Sequence, residues 1–256
     1  VTLSEASLLL LLGALLRIGA FVAVAPPFSS QQIPVSVRVG LSLAMALPAA
    51  HLLAVPSGTF SNPNSTLIFL VVQVVLGLAL GVLVNTLISA FSSAGFLSGL
   101  LGGFSPPPQL DPLSLNQNSG LGILYEMIAL MLLFTSGAYL FILKGLFVSL
   151  KIAMPTHISS SAISQLVINN FSTFFGATLQ IAAPIAAVAF TVQILLSILS
   201  KVSPSISIYA LSFPIQILAT ILVVSLVISN LPGFVQLISG DSVTTMMNFM
   251  RLINGG

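Results

Sequence analysis

Charge is the first thing this chain lacks. Six Lys/Arg and four Asp/Glu are spread over 256 residues, so 4% of positions are charged while 57% are apolar. A water-soluble domain carries roughly a quarter charged residues, because its surface must hold water. This surface is therefore expected to face lipid or protein. The net charge of +2 is too small, and its carriers too scattered along the sequence, to mark a nucleic-acid or anionic-lipid patch, and no partner is read from it. Cysteine is absent, which excludes disulfides, thiolate catalysis and cysteine-based metal sites. Histidine is nearly absent: His51 and His157 lie in separate connections, with no carboxylate within four residues of either. No His-Glu-x-x-His, Glu-x-x-His or clustered acid pair is present, so neither an enzyme nor a metal or cofactor site is expected.

What is present in quantity is long apolar sequence. A membrane helix needs about 20 mostly apolar residues, and six stretches supply them, at 5–25, 38–55, 66–101, 121–150, 171–200 and 206–230. Leu8 to Leu16 follows Glu5 and no basic residue, so it reads as a retained span and not as a cleaved signal segment. Prolines at 26–27, 34, 56, 63, 106–108, 155 and 232 fall between or after these stretches, where a missing N–H and a fixed φ stop a helix. A seventh piece, 234–252, reads as a packing or interfacial helix, which divides the chain into a membrane domain over 1–230 and a C-terminal amphipathic segment over 231–256.

The third and fourth stretches are longer than one crossing requires, and Gly77, Gly81, Gly95, Gly99, Pro48, Pro184 and Pro214 lie inside apolar runs. Irregular backbone at membrane depth is tolerated only where protein or a water-lined cavity satisfies it. Kinked helices packed against other subunits or around a pore are expected. Gly77/Gly81 and Gly95/Gly99 are each a G-x-x-x-G, a spacing that allows close helix approach and also arises by chance in a glycine-rich chain. Ser98, between Gly95 and Gly99, lacks nucleophile-motif spacing and reads as a packing serine. Arg17, Glu126 and Lys144 are ionisable groups inside apolar runs, functional candidates by default because burying charge in hydrocarbon is costly. Polar contact within or between subunits is the expected role of Arg17, Arg38, Glu126 and Lys201, with snorkelling the alternative for Arg17 and Lys144. The basic residues divide evenly enough between the two sides that no orientation follows. The most unusual segment is the loop 102–120. It is polar yet studded with Phe104, Leu110, Leu113 and Leu115, stiffened by Pro106 to Pro108, and turned at Asp111-Pro112.

An ordered series of short motifs resembles one family. Leu15-Leu16-Arg17-Ile18-Gly19-Ala20-Phe21 is followed by Ala25-Pro26, then by Ile33-Pro34 and Val37-Arg38-Val39-Gly40-Leu41. Gly77 to Gly81, Ser93-Ala94-Gly95, Gly102 to Ser105 with Asp111-Pro112, Ser136-Gly137, Ala183-Pro184, Lys201 to Ile208 and Phe213-Pro214 come next. Over about 5–230 this series resembles the flagellar biosynthetic protein FliR family, whose type III secretion counterpart is SctT. The sequence departs from the family at Phe96, where many members have glutamate, and at Ser136-Gly137-Ala138, where many have Asn-Gly-His. Contacts that the family builds on those two residues are not carried over.

The resemblance implies an all-α integral membrane protein of about six long, kinked helices, like a FliP-like part fused to a FliQ-like part. It implies a single-copy subunit of the protein export gate in the bacterial inner membrane, at the flagellar basal body in the family's flagellar form. The implied partners are FliP-like, FliQ-like, FlhB-like and FlhA-like proteins, membrane lipid and unfolded export substrates, without nucleic acid. The segment 103–120, with Gly103, Phe104, Leu110, Asp111, Pro112, Leu113 and Leu115, would be part of the plug that shuts the idle pore. Two other readings remain: a small transporter or channel acting as a homo-oligomer, which should show an internal repeat, and an intramembrane enzyme, which should show a catalytic constellation.

Overall fold

The computed structural model describes residues 5–30, 33–56, 59–104, 120–152, 160–202 and 208–253. Leu110, Asp111, Pro112, Leu113 and Leu115 of the expected plug, together with His157, lie outside them. Seven α-helices make up almost all of the described chain: α1 (Glu5–Val24), α2 (Val35–Ala49), α3 (Pro63–Leu101), α4 (Gly120–Thr135), α5 (Ala138–Leu150), α6 (Ser160–Val202) and α7 (Ile208–Ile253). No strand occurs among the described residues. Apolar segments in hydrocarbon must satisfy their backbone internally, and the helix does this within one segment. Five of the helices are long and apolar enough to cross a membrane, and six spans result if the α4–α5 pair counts as one. The chain is thus an all-α integral membrane protein.

Proline stops helices where the chain can leave the apolar layer and fails to stop them elsewhere. Pro26 and Pro27 follow α1, Pro34 caps α2 in an extended conformation (φ −57°, ψ 145°), and Pro63 opens α3. Pro48 comes one residue before α2 ends and a single 3-10 turn, Ala50–Leu52, begins. Pro184 lies inside the 43-residue α6, and both Pro214 and Pro232 lie inside the 46-residue α7. The stop expected at Pro232 does not occur: α7 continues to Ile253, so the described part of the stretch at 206–230 is one helix with the piece at 234–252. The missing N–H removes one bond from a helix of this length, and an apolar surrounding offers the backbone nothing better.

The fourth stretch behaves in the opposite way. It breaks with no proline, at Ser136-Gly137, where Gly137 takes the left-handed conformation (φ +72°) that begins α5.

The chain divides into two compact units, formed by residues 1–87, 136–171 and 239–256, and by residues 88–135 and 172–238. In the first, Ile18, Phe21 and Val22 of α1, Phe69 and Leu80 of α3, and Leu146 and Leu150 of α5 are buried. In the second, the buried set includes Phe91 and Ala94 of α3, Tyr125 and Leu133 of α4, Ile181 and Ile185 of α6, and Leu231 of α7.

Candidate functional site

Within the first unit the centre is a buried guanidinium. Arg17 has no exposed surface. Its Nε donates to Gln73 Oε1 of α3 at 2.8 Å, and its Nη1 donates to the Ser149 carbonyl near the end of α5. The last carbonyls of a helix lack intrahelical partners and carry partial negative charge, so a cation there is favourable. The end of α5 is held at several points: Ala54 N–H donates to the Leu150 carbonyl at 2.9 Å, and the Ser149 hydroxyl turns back to the Leu146 carbonyl at 2.6 Å. One side chain therefore ties α1, α3 and α5 together. The sequence left open whether Arg17 is satisfied inside the chain or by other subunits; its partners here are intramolecular.

Arg17 reaches Gln73 because α1 crosses α3 at glycines. A Cβ placed on Gly77 would lie 2.2 Å from the Arg17 carbonyl oxygen, and one on Gly81 would lie 3.1 Å from Val24 Cβ and 3.2 Å from the Phe21 oxygen. In the second unit, a Cβ on Gly95 would lie 2.4 Å from the Leu121 oxygen of α4. The G-x-x-x-G at 77–81 and the glycine at 95 are therefore real backbone crossings. Ser98, one turn after Gly95, is wholly buried. Among the described residues no three His, Asp, Glu or Cys gather in one place.

The root of the loop 105–119 is also in the second unit. Gly102 N–H donates to the Ser98 carbonyl and Phe104 N–H to the Gly99 carbonyl, each at 2.9 Å, while Gly103 has φ +76°. This bond from Phe104 across six residues, with a left-handed glycine before it, is a Schellman cap. Gly103 is thus a fixed helix stop. Thr220 of α7 presses on Gly102, where an added Cβ would meet its side chain at 2.5 Å, and Gln216 lies beside Gly103. Gln216 also lines a pocket of about 460 Å³ with Leu100, Leu101, Ala186, Ala189, Phe190 and Gln193. The side chain of Phe104 is exposed.

The remaining sequence candidates do not converge. Arg38 is half-buried and donates from Nη2 to the Ser30 carbonyl at 2.5 Å. Glu126 and Lys144 are exposed on α4 and α5, and Lys201 is exposed in the last turn of α6. His51 is exposed in the 3-10 turn.

Long apolar helices, pinned by a buried cation and crossing at glycines, define a closely packed integral membrane protein. The chain matches the bacterial export proteins, family 1, over residues 8–241. It belongs to that family. The flagellar biosynthetic protein FliR of Bacillus subtilis (strain 168) is a relative, 22% identical over 243 residues that cover 93% of each chain. The resemblance to the FliR family drawn from the ordered motifs is upheld over nearly the whole chain.

Proposed function

We propose that this chain is a single-copy core subunit of a type III protein export gate, the flagellar one, in the bacterial inner membrane. There it would help form and plug the channel through which unfolded substrates cross. Family membership supports the export apparatus, and the FliR relative supports the flagellar form. The observation that carries assembly into a larger complex is a mismatch of length. Within the second unit, exposed large apolar side chains on α6 run from Phe175 through Phe190 and Leu195 to Val202. At 1.5 Å per residue that stretch is about 40 Å of helix. A hydrocarbon layer of about 30 Å would cover it only at a tilt of about 40°, the top of the usual range. Other protein subunits, FliP-like and FliQ-like, with FlhB-like and FlhA-like proteins at the complex, account for the rest of the cover. Exposed Glu126 and Lys201, with half-buried Arg38, then serve as polar contacts to them.

The loop 103–120 is the gate element in this reading. A pore wide enough for an unfolded chain leaks ions when idle unless a segment fills it. Phe104, Leu110, Leu113 and Leu115 supply apolar bulk, and the Pro106 to Pro108 run supplies a stiff path with no helix to unwind. Replacing 105–119 with a short Gly-Ser linker is expected to leave co-isolation with FliP-like and FliQ-like subunits at the parental level while raising membrane conductance in cells that hold the idle complex. Normal assembly with parental tightness would make the loop a linker and place the plug elsewhere.

A further inference from the structure

In the first unit Arg251 of α7 lines a cavity against α5, the helix that carries Lys144 and is followed by Lys151. Lys144 on α5 and Lys151, its C-cap, are seven residues apart, hence on one face, and both are exposed. Between them on that face is exposed Val148. Val148 lines a cavity of about 130 Å³ with Gly145, Ile152, Met246, Met247 and Arg251. Gly145 makes room for this contact between α5 and α7, since an added Cβ would lie 3.2 Å from the Met246 sulfur. The walls are aliphatic and thioether, and no acidic side chain lines them. Lys151 directly follows α5 and Arg251 is in the last turn of α7, so the cations mark one end of both helices and the apolar trough runs inward from them.

We infer that this trough is a binding site for one anionic phospholipid, whose phosphate is held by Lys151 and Arg251, with Lys144 reaching up, while an acyl chain lies along Val148, Met246 and Met247. Charge decides the occupant. The two helix C-termini each contribute about half a negative charge, which three full cations outweigh. Asp241, the described carboxylate on α7 in this unit, is half-buried ten residues before Arg251 and does not line the trough. Attraction of the helix ends for cations explains Lys151 and Arg251 but not an apolar trough opening between them. The scattered appearance of the charges in sequence conceals this site, because Arg251 lies 100 residues after Lys151.

The test is lipid retention by the complex isolated through the tagged full-length chain, exchanged into mixed micelles of phosphatidylglycerol and phosphatidylethanolamine and read by native mass spectrometry. Each of Lys151→Gln and Arg251→Gln should lower retained phosphatidylglycerol roughly fivefold, the effect of one basic side chain at an anionic surface. Phosphatidylethanolamine should not change. Met247→Trp, which fills the trough and keeps every charge, should lower phosphatidylglycerol as well, and Arg251→Lys should retain it. Lys201→Gln, in the other unit, should have no effect. Equal loss from Lys201→Gln, or unchanged retention in Arg251→Gln and Met247→Trp, would overturn the site. So would loss of a protein subunit from these variants with lipid retention intact, which would make the trough a protein interface.

Discussion

Gly77→Ala is expected to lose about 3 kcal/mol or more, the upper end for overpacking a filled interior. The added methyl meets the Arg17 carbonyl oxygen at 2.2 Å, and a backbone atom in a helix cannot swing aside as a side-chain end can. Gly95→Ala should be almost as severe, since its methyl meets the Leu121 oxygen at 2.4 Å. Gly81→Ala, with its nearest contact at 3.1 Å, should cost about 1 kcal/mol, at the lower end of the same range. Gly176→Ala meets nothing within 4 Å and should be neutral, or gain up to about 1 kcal/mol of helix propensity. The midpoint of heat-induced loss of the monodisperse species in mild detergent gives the order of the four. A flat series would mean that α1 does not cross α3 at Gly77.

Arg17→Ala should also be damaging, at about 1–3 kcal/mol for each neutral buried acceptor left unsatisfied. Gln73 Oε1 would lose its buried donor, and the Ser149 carbonyl would keep only backbone donors after α5, such as the Ile152 N–H at 3.3 Å. Arg17→Lys should recover only part of this, since one ammonium cannot reproduce two donors held in a planar fork. The informative variant is Arg17→Met with Gln73→Leu. If the loss comes from stranded polar atoms, the double variant should be less destabilised than the sum of the two singles. Strict additivity would show that the side chains act separately. Reversing Lys201, exposed at the end of α6, should cost the chain's own stability far less than any change at Arg17.

How much of this could be read beforehand depends on which interactions are local. The spans were legible because hydrocarbon demands apolar length, and that demand is written residue by residue in α1, α3 and α6. Pro26-Pro27, Pro34 and Pro63 marked real ends because the chain there has somewhere else to go. Pro184 and Pro214 lie inside helices as expected, while Pro232 was misleading as a stop, since the strength of a breaker depends on whether water or another partner can take over the freed carbonyl. The break at Ser136-Gly137 went unread because small residues inside an apolar run look like packing positions, and only the left-handed φ of Gly137 distinguishes it.

Gly77, Gly81 and Gly95 were legible as candidates, but the distance to a facing backbone is a tertiary fact that spacing alone cannot supply. Arg17 stood out in sequence as an improbable charge, while its partners Gln73 and Ser149, 56 and 132 residues away, did not. The family was legible because order along the chain accumulates specificity that no single motif has.

The central claim, that this chain is one subunit of a larger export gate, is tested most directly by the mass of the intact complex isolated through a tagged copy from gently solubilised membranes. The expected result is a single species holding one copy of this 26.6 kDa chain together with several copies of FliP-like and FliQ-like subunits. A species built only from multiples of this chain would contradict it and restore the homo-oligomeric transporter or channel.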